Sequence, residues 1–411
     1  MTQVTAFNWH PNAKLFAGVG DVARPKSAAA KPFKHIPARP TFDALCALVK
    51  AVSNGGSFCV SDMPMPSHLE VASGRFLTLT GGSSGQPKII QRTHLSWITS
   101  FKINADLFSF NTTDSVAVFG TLDHSLSLYG LLEALYLGLD AHVLADIPHQ
   151  TQCSILARQK ISVLYATPTQ LRLLAQRSLG MVLPDVRLIL CGGGMLDQNT
   201  RMLAQSLCPN AALHVFYGAA ETSFVTIADN ETPAGSVGRA YPGVTLEIRD
   251  TENKPTSEIG EVWVHSPYIF NNYLTDQSDA MRHPDGFVSV GEMGRLDAMG
   301  NLWLKGRKSR MVTIADQNVF PEGIETLIAE QLGVGACVVI PIPDQTRGHR
   351  LVAVLEGAQD AQLAQTIKET CHSKFGALMA PHKVLFHPGL PLLASGKVDM
   401  KTLSTWVEAH Q

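Results

Sequence analysis

Apolar residues in this chain fall into short runs separated by stretches of helical spacing, and the spacing changes along its length. Phe42 to Val52 repeats its apolar positions at helical intervals, and Ser57-Phe58-Cys59-Val60 reads as a short strand. From residue 95 to 245, helical stretches alternate with compact apolar runs, among them Ser115 to Phe119, Ile161 to Ala166 and Val186 to Leu190. Such alternation predicts a mostly parallel α/β sheet. Residues 244 to 305 read as several strands joined by turns, a smaller β unit, and beyond Gly306 the pattern returns to mixed α and β. Residues 1 to 40, rich in Pro, Ala and Lys, predict little regular structure.

A length of 411 residues exceeds the usual size of one domain, so two domains or subdomains are expected. The hydrophobic share of 45% suits a sizeable globular core. A formal charge of −2, with no block of like charges, offers nothing to attract nucleic acid or an anionic membrane. No apolar run is long enough for a membrane span, and Met1 to Asp21 lacks the layout of a signal peptide. Seven Cys without C-x-x-C spacing predict reduced thiols in a cytoplasmic protein and no zinc site, and the 15 His are dispersed as well.

The densest chemistry lies in Leu79-Thr80-Gly81-Gly82-Ser83-Ser84-Gly85-Gln86-Pro87-Lys88, just after the apolar Phe76 and Leu77. Glycine lets backbone N–H groups close on a ligand. The hydroxyls add donors and Lys88 a mobile positive charge, a set suited to nucleotide phosphates. A flexible surface turn is the competing reading, since Gly and Ser also mark loops. The segment is not a Walker loop, because Pro87 separates Gly85 from Lys88 and Ile89 follows.

The layout from Thr80 to Lys88 resembles the phosphate loop of the adenylate-forming superfamily, which comprises acyl-CoA synthetases, adenylation domains of peptide synthetases and luciferases. Further segments resemble the family's motifs in the same order. They are Phe216-Tyr217-Gly218-Ala219-Ala220-Glu221, then Gly235 to Arg239 with Pro242-Gly243, then Gly260-Glu261-Val262-Trp263-Val264. Asp285-Gly286-Phe287 with Gly291 to Arg295, Gly306-Arg307-Lys308-Ser309, and Leu390-Pro391 with Ser395-Gly396-Lys397 complete the series. The likeness covers residues 76 to 405. It implies a large N-terminal α/β domain, residues 1–308, with mostly parallel sheets and helices plus a small β unit. A small α+β C-terminal lid domain, residues 309–411, would follow, hinged near Ser309. Fewer residues precede Thr80 than in the family, which implies a shortened N-terminal part and an altered wall of the acid pocket.

The resemblance also implies roles. Activating a carboxylic acid requires a held triphosphate, neutralised charge and a carboxylate in line with the α-phosphorus. Thr80, Gly81, Gly82, Ser83, Ser84, Gly85 and Lys88 would hold the phosphates of ATP. Glu221 would bind Mg2+, which takes hard oxygen ligands; a carboxylate at a helix start is the alternative. Tyr217, followed by Gly218, Ala219 and Ala220, would stack on adenine unless it is a core aromatic. Gly192, Gly193 and Gly194 would let backbone approach the base, as would a plain strand-to-loop turn. Glu292, where the family has Asp, would grip the ribose, and Arg307 would add positive charge unless it is a surface Arg. Lys397 would bridge carboxylate and α-phosphate. His124 would line the acid pocket with Gly194, a core His being the alternative. Asp123 partly matches the amino-acid-activating pattern, in which Asp binds the amino group. Leu126, Leu128, Leu131 and Leu132 favour an apolar acyl acid.

Departures from the pattern fall mostly on the second half-reaction. Ala220 replaces a hydroxyl residue and Ser309 a charged hinge residue. Ala315-Asp316 stands where a Gly admits the thiol arm, and Gly323 replaces a Glu while Glu325 remains. The expected function is an ATP- and Mg2+-dependent acid–thiol ligase, forming acyl-AMP and pyrophosphate and passing the acyl group to coenzyme A. An enzyme loading an amino acid or acyl group onto a carrier protein and a non-catalytic nucleotide-binding homologue are the alternatives.

Overall fold

The computed structural model describes residues 6–25, 33–53, 55–66, 69–80, 88–274, 280–332, 334, 336–392 and 398–410. The expected phosphate-binding residues Gly81, Gly82, Ser83, Ser84 and Gly85, and the expected catalytic Lys397, lie outside the described residues. The chain begins with β1 (Leu15–Ala17), β2 (Gly20–Asp21), β3 (Lys34–Ile36), α1 (Thr41–Val52) and β4 (Phe58–Val60). β5 (Arg75–Leu79), β6 (Ile89–Thr93) and α2 (His94–Leu107) follow. The first 40 residues are more regular than their composition predicts. β1 pairs with β8 (Asp140–Val143) and β3 with β4, because Leu15 and Ile36 are buried against distant parts of the chain.

β7 (Ser115–Val118), α3 (Ser125–Leu137), β8, α4 (His149–Arg158), β9 (Val163–Ala166) and α5 (Pro168–Gln176) come next. They lead to β10 (Leu188–Gly192), α6 (Gln198–Leu207), β11 (Ala212–Ala219), β12 (Ser223–Ala228) and β13 (Arg239–Ala240). These strands build a nine-stranded sheet ordered β13-β12-β11-β10-β9-β7-β8-β1-β2. The run from β11 to β1 is parallel. Val116, Val118, Val163, Tyr165, Leu188 and Leu190 join the core shared with α1, α2 and α3. The intervening Ala117, Leu164, Ala166, Ile189 and Cys191 join the core shared with α4, α5 and α6. Both faces are covered, so these strands are apolar at nearly every position and read as unbroken runs.

From β7 the chain passes to β8 on one side, then crosses to β9 on the other. Strand order therefore reverses between β7 and β9. In open α/β sheets the crevice outside the carboxyl ends of the strands at such a point is where ligands bind. α3 starts there, and a buried polar cluster anchors its middle. Tyr165 donates its hydroxyl to Glu133, Asn104 Nδ2 donates to Glu133 Oε1 at 2.8 Å, and the Tyr241 hydroxyl donates to Asn104 Oδ1 at 2.6 Å. Burial pushes the Glu133 carboxyl up to about 8, against the pull of donors Tyr165, Asn104 and Tyr129.

β14 (Thr245–Arg249), β15 (Gly260–His265), β16 (Asn272–Tyr273) and β17 (Met281–Arg282) succeed one another, then β18 (Val288–Ser289), β19 (Glu292–Leu296) and β20 (Leu302–Arg307). Except for β16 they form one sheet, the smaller β unit that the pattern of this stretch predicts, and its pairing is antiparallel. β16 instead closes the edge of a second sheet, β16-β6-β5-β4-β3. Beyond it come β21 (Val312–Ile314), β22 (Gln317–Val319), α7 (Pro321–Leu332), β23 (Cys337–Asp344) and β24 (Gly348–Glu356). α8 (Ala361–Phe375), β25 (Lys383–His387) and α9 (Met400–Ala409) end the chain. The sheet β23-β24-β25 has α7 and α8 over one face, on Val339, Leu351 and Ala353, and α9 over the other, on Ile340, Val352 and Val354. The whole is the expected α/β body followed by an α+β unit. Among the described residues no helix is long and apolar enough to cross a membrane.

Candidate active site

Four loops meet at the carboxyl edge of the large sheet. After β7 come Asp123 and His124, after β9 Thr167, after β10 Gly193 and Gly194, and after β11 Ala220 and Glu221. A Cβ on Gly120 would lie 3.4 Å from Gln170 Nε2 and 3.6 Å from the His124 ring, so the first two loops touch. Gly193 is left-handed (φ 85°), and a Cβ there would meet Thr167 at 3.6 Å. This bend carries the chain away from β10 across the crevice. Gly192 is paired with Phe216, next to Tyr217.

His124 is exposed at the N-terminal end of α3, which removes the core-His alternative. Asp123 is half-buried, accepts a hydrogen bond from the Thr121 hydroxyl at 2.6 Å, and its charge helps push the buried Cys59 thiol up to about 12, after burial itself. Of the four leucines expected to favour an apolar acid, Leu128, Leu131 and Leu132 are fully within the core. Helical periodicity turns them away from the crevice. Leu126 alone reaches it, its Cδ1 3.8 Å from where a Gly192 Cβ would stand.

Glu221 sits at the tip of the β11–β12 hairpin and not at a helix start. The tip is tightly made. A Cβ on Gly218 would fall 1.8 Å from the Ser223 carbonyl oxygen, and the ladder shifts register between Tyr217 and Gly218. Only glycine fits that close backbone approach. Glu221 is buried. Phe270 N–H donates to its carbonyl at 2.8 Å, and the Tyr273 hydroxyl donates to its Oε1 at 2.8 Å. Beneath the tip lies Arg92, 1% exposed. It donates to the carbonyls of Ala220 and, at 2.6 Å, Tyr268. Burial lowers its guanidinium to about 9, while the nearby Glu221 charge opposes the fall.

Arg92 and Tyr273 were not predicted from sequence. A charged residue four places after Lys88, in a strand with buried Ile89 and Ile90, is the only local signal for Arg92. Tyr273 has none, standing 52 residues from Glu221. Lys88 is also buried, and its Nζ lies 5.9 Å from the Tyr273 ring centre. Lys88 N–H donates to Thr80 Oγ1 (3.1 Å) and Thr80 N–H to the Lys88 carbonyl (2.8 Å), which joins the two flanks of the glycine-rich segment.

Tyr217 is half-buried and packs beside Val225, Ile248 and Leu302, so it is partly a core aromatic. Burial, then Glu292, pushes its phenol well above the ordinary range, with Arg307 opposing. The three groups are therefore neighbours. Glu292 and Arg307 face each other across β19 and β20, with Arg307 Nε 3.2 Å from Glu292 Oε1. Past them, Ser309 is exposed between two ion pairs. Lys308 reaches back to Glu261 on β15 (2.8 Å), and Arg310 reaches forward to Glu325 on α7 (2.6 Å).

Ala315 and Asp316 form the two-residue turn of the β21–β22 hairpin, with φ of 46° and 65°. Such a turn needs positive φ at both positions, which glycine adopts more readily. Ala315 N–H donates to the Arg347 carbonyl at 3.0 Å. The turn thus adjoins a cleft of about 640 Å3 lined by Arg347, Arg350, Lys368, His372 and His382, with Asp344 and Glu369. Among the described residues, Arg350 Nε is buried there without a hydrogen-bond partner.

The family model for AMP-binding enzymes matches residues 37–274, and that for the AMP-binding enzyme C-terminal domain matches residues 323–397. The uncharacterized acyl-CoA ligase YhfT of Bacillus subtilis (strain 168) is 33% identical over 338 residues, 81% of this chain and 68% of that protein. The 2-succinylbenzoate–CoA ligase of Enterococcus faecalis is 26% identical over 352 residues, 82% of this chain and 70% of that protein. Among solved structures, o-succinylbenzoate CoA synthetase (MenE) from Bacillus subtilis, in complex with the acyl-adenylate OSB-AMP, superposes with a TM-score of 0.78 at 17% identity, over 92% of this chain and 88% of that one. The amide bond synthetase McbA from Marinactinospora thermotolerans gives a TM-score of 0.72 at 20% identity, over 91% and 80%. At these identities the structural likeness is one of fold.

Proposed function

The chain belongs to the AMP-binding enzyme family and is an ATP-dependent ligase of carboxylic acids to coenzyme A, working through an acyl-adenylate; we propose that the crevice at the carboxyl edge of its large sheet carries that chemistry. The supporting observations are that Tyr273 joins Glu221 to Lys88, that Tyr217 neighbours Glu292 and Arg307, and that His124 stands exposed at the start of α3, after β7.

Tyr217 and the backbone of Gly192, Gly193 and Gly194 would hold the base of ATP, Glu292 and Arg307 its ribose, and Thr80 and Lys88 its phosphates. Glu221 suits Mg2+, because it offers a buried hard oxygen joined to Lys88 through Tyr273. When bound, that cation supplies positive charge that screens the phosphate oxygens. The acid enters by His124, Asp123 and Leu126. Its carboxylate oxygen attacks the α-phosphorus and pyrophosphate leaves, with Lys397 balancing the charge that builds between them.

The second half-reaction follows a rotation about Ser309, a hinge-type change. The Lys308–Glu261 and Arg310–Glu325 pairs tie the chain to β15 just before Ser309 and to α7 just after it. The thiol sulfur of coenzyme A then attacks the acyl carbon. AMP leaves with the bonding electrons and the thiol proton passes to water. The cleft at Arg347 and Arg350 suits the phosphates of coenzyme A, since Arg presents donors matched to phosphate oxygens and the cleft adjoins the Ala315-Asp316 turn.

ATP–pyrophosphate exchange with Mg2+, across aliphatic, aromatic and amino acids and without thiol, tests the first half. Exchange with one class names the acid. Failure with every class, alongside measurable ATP binding, would refute adenylation. Adding coenzyme A, or a carrier protein bearing phosphopantetheine, then identifies the acceptor.

A further inference from the structure

Tyr273 lies beside Glu221 and Lys88, the two charged groups proposed above to hold the metal and the triphosphate. Its hydroxyl donates to Glu221 Oε1 at 2.8 Å, and its ring lies 5.9 Å from Lys88 Nζ. The backbone around it is held as well. β16 pairs with β6 through Asn272–Gln91 and Tyr273–Ile90, so Tyr273 rides on the strand that begins just after Lys88. Its ring also packs on Phe270 at 4.8 Å, and Phe270 N–H donates to the Glu221 carbonyl. On the opposite side of the hairpin tip, Arg92 fixes the Ala220 and Tyr268 carbonyls from the same strand.

We infer that Tyr273 is a positioning residue for the metal–triphosphate complex, acting through Glu221 and Lys88. By occupying Oε1 it holds the Glu221 carboxylate in one orientation before any nucleotide arrives. By facing Lys88 it sets the spacing between the cation that meets the phosphates and the carboxylate that meets the metal. Partners that orient a metal-binding carboxylate in this way commonly change metal affinity about 10- to 100-fold when removed. The inference rests on Glu221 as the Mg2+ ligand, so the test separates the two.

ATP binding is measured by calorimetry on the full chain, with no acid present, once with Mg2+ and once with EDTA. The ratio of the two affinities reports the coupling between metal and nucleotide. Tyr273→Phe keeps the ring on Phe270 and by Lys88 and removes only the hydroxyl. It should lower that ratio about 10-fold, with ATP affinity in EDTA and the melting temperature unchanged. Tyr273→Leu should lower ATP affinity in EDTA as well, through Lys88. Glu221→Gln should abolish the ratio. A normal ratio in Glu221→Gln would overturn the metal assignment itself. Loss of the ratio in Glu221→Gln with a normal ratio in Tyr273→Phe would overturn the positioning role alone.

Discussion

Replacing Glu133 by Gln should remove a large part of the pH dependence of stability, because that carboxyl is fully buried between α3, α2 and β9. Its value moves from 4.5 to about 8 on folding. The folded value is the higher one, so between those limits the folded chain holds one more proton than the unfolded chain. This contribution to stability is complete at or below pH 4.5, declines as pH rises, and is exhausted once the folded value is passed. At about 1.36 kcal/mol per unit, the full span is worth about 5 kcal/mol, of which about 4 kcal/mol falls between pH 5 and pH 8. His94 and His142, lowered by burial to about 4, act with the opposite sign in the lower part of this window. Both are unchanged in the variant, so they cancel in the difference. Urea unfolding followed by tryptophan fluorescence, on both proteins from pH 5 to 8.5, supplies that difference. The wild type should lose about 4 kcal/mol relative to Glu133→Gln across the range. A difference that stays flat would refute the claim that desolvation outweighs the hydrogen bonds from Tyr165, Asn104 and Tyr129.

Lys397→Ala should slow ATP–pyrophosphate exchange about 100- to 1,000-fold, the usual loss of one charge-stabilising group, and an unchanged exchange rate would remove that residue from the first half-reaction. Asp316→Gly should relieve a left-handed residue by about 1 kcal/mol, raising the melting temperature and the rate of thioester formation while leaving exchange alone. An unaltered thioester rate would place Asp316 off the thiol path. Arg350→Ala should raise KM for coenzyme A about 10-fold with KM for ATP constant. Equal shifts in both constants would show that the cleft does not serve the acceptor.

The parallel core was legible because it is covered on both faces, which forces long apolar runs at β7, β9 and β10. The turn-rich stretch after residue 244 likewise announced a smaller β unit, though not its antiparallel pairing. Short strands are a different matter. β1 and β3 exist because Leu15 and Ile36 find partners on β8 and β4, and no local pattern could report that pairing. The leucines of α3 show the same limit from the other side. The four leucines after His124 favoured an apolar acid, yet helix rotation commits Leu128, Leu131 and Leu132 to the core and leaves only Leu126 of the four at the crevice.

For the site itself, order along the chain was enough to recognise the family. The family's motifs carry particular residue types at fixed local spacing, as in Thr80 to Lys88 and Tyr217 to Glu221. What local spacing cannot contain is the contact between remote segments. The β11–β12 hairpin, not a helix, carries Glu221. Arg92 and Tyr273 reach it from β6 and β16, and Arg307 meets Glu292 only because β19 and β20 pair in that register. Those relations depend on burial and strand pairing across the whole chain, so the residue types near each motif follow from sequence, whereas the charged and aromatic groups that orient them follow from the tertiary fold.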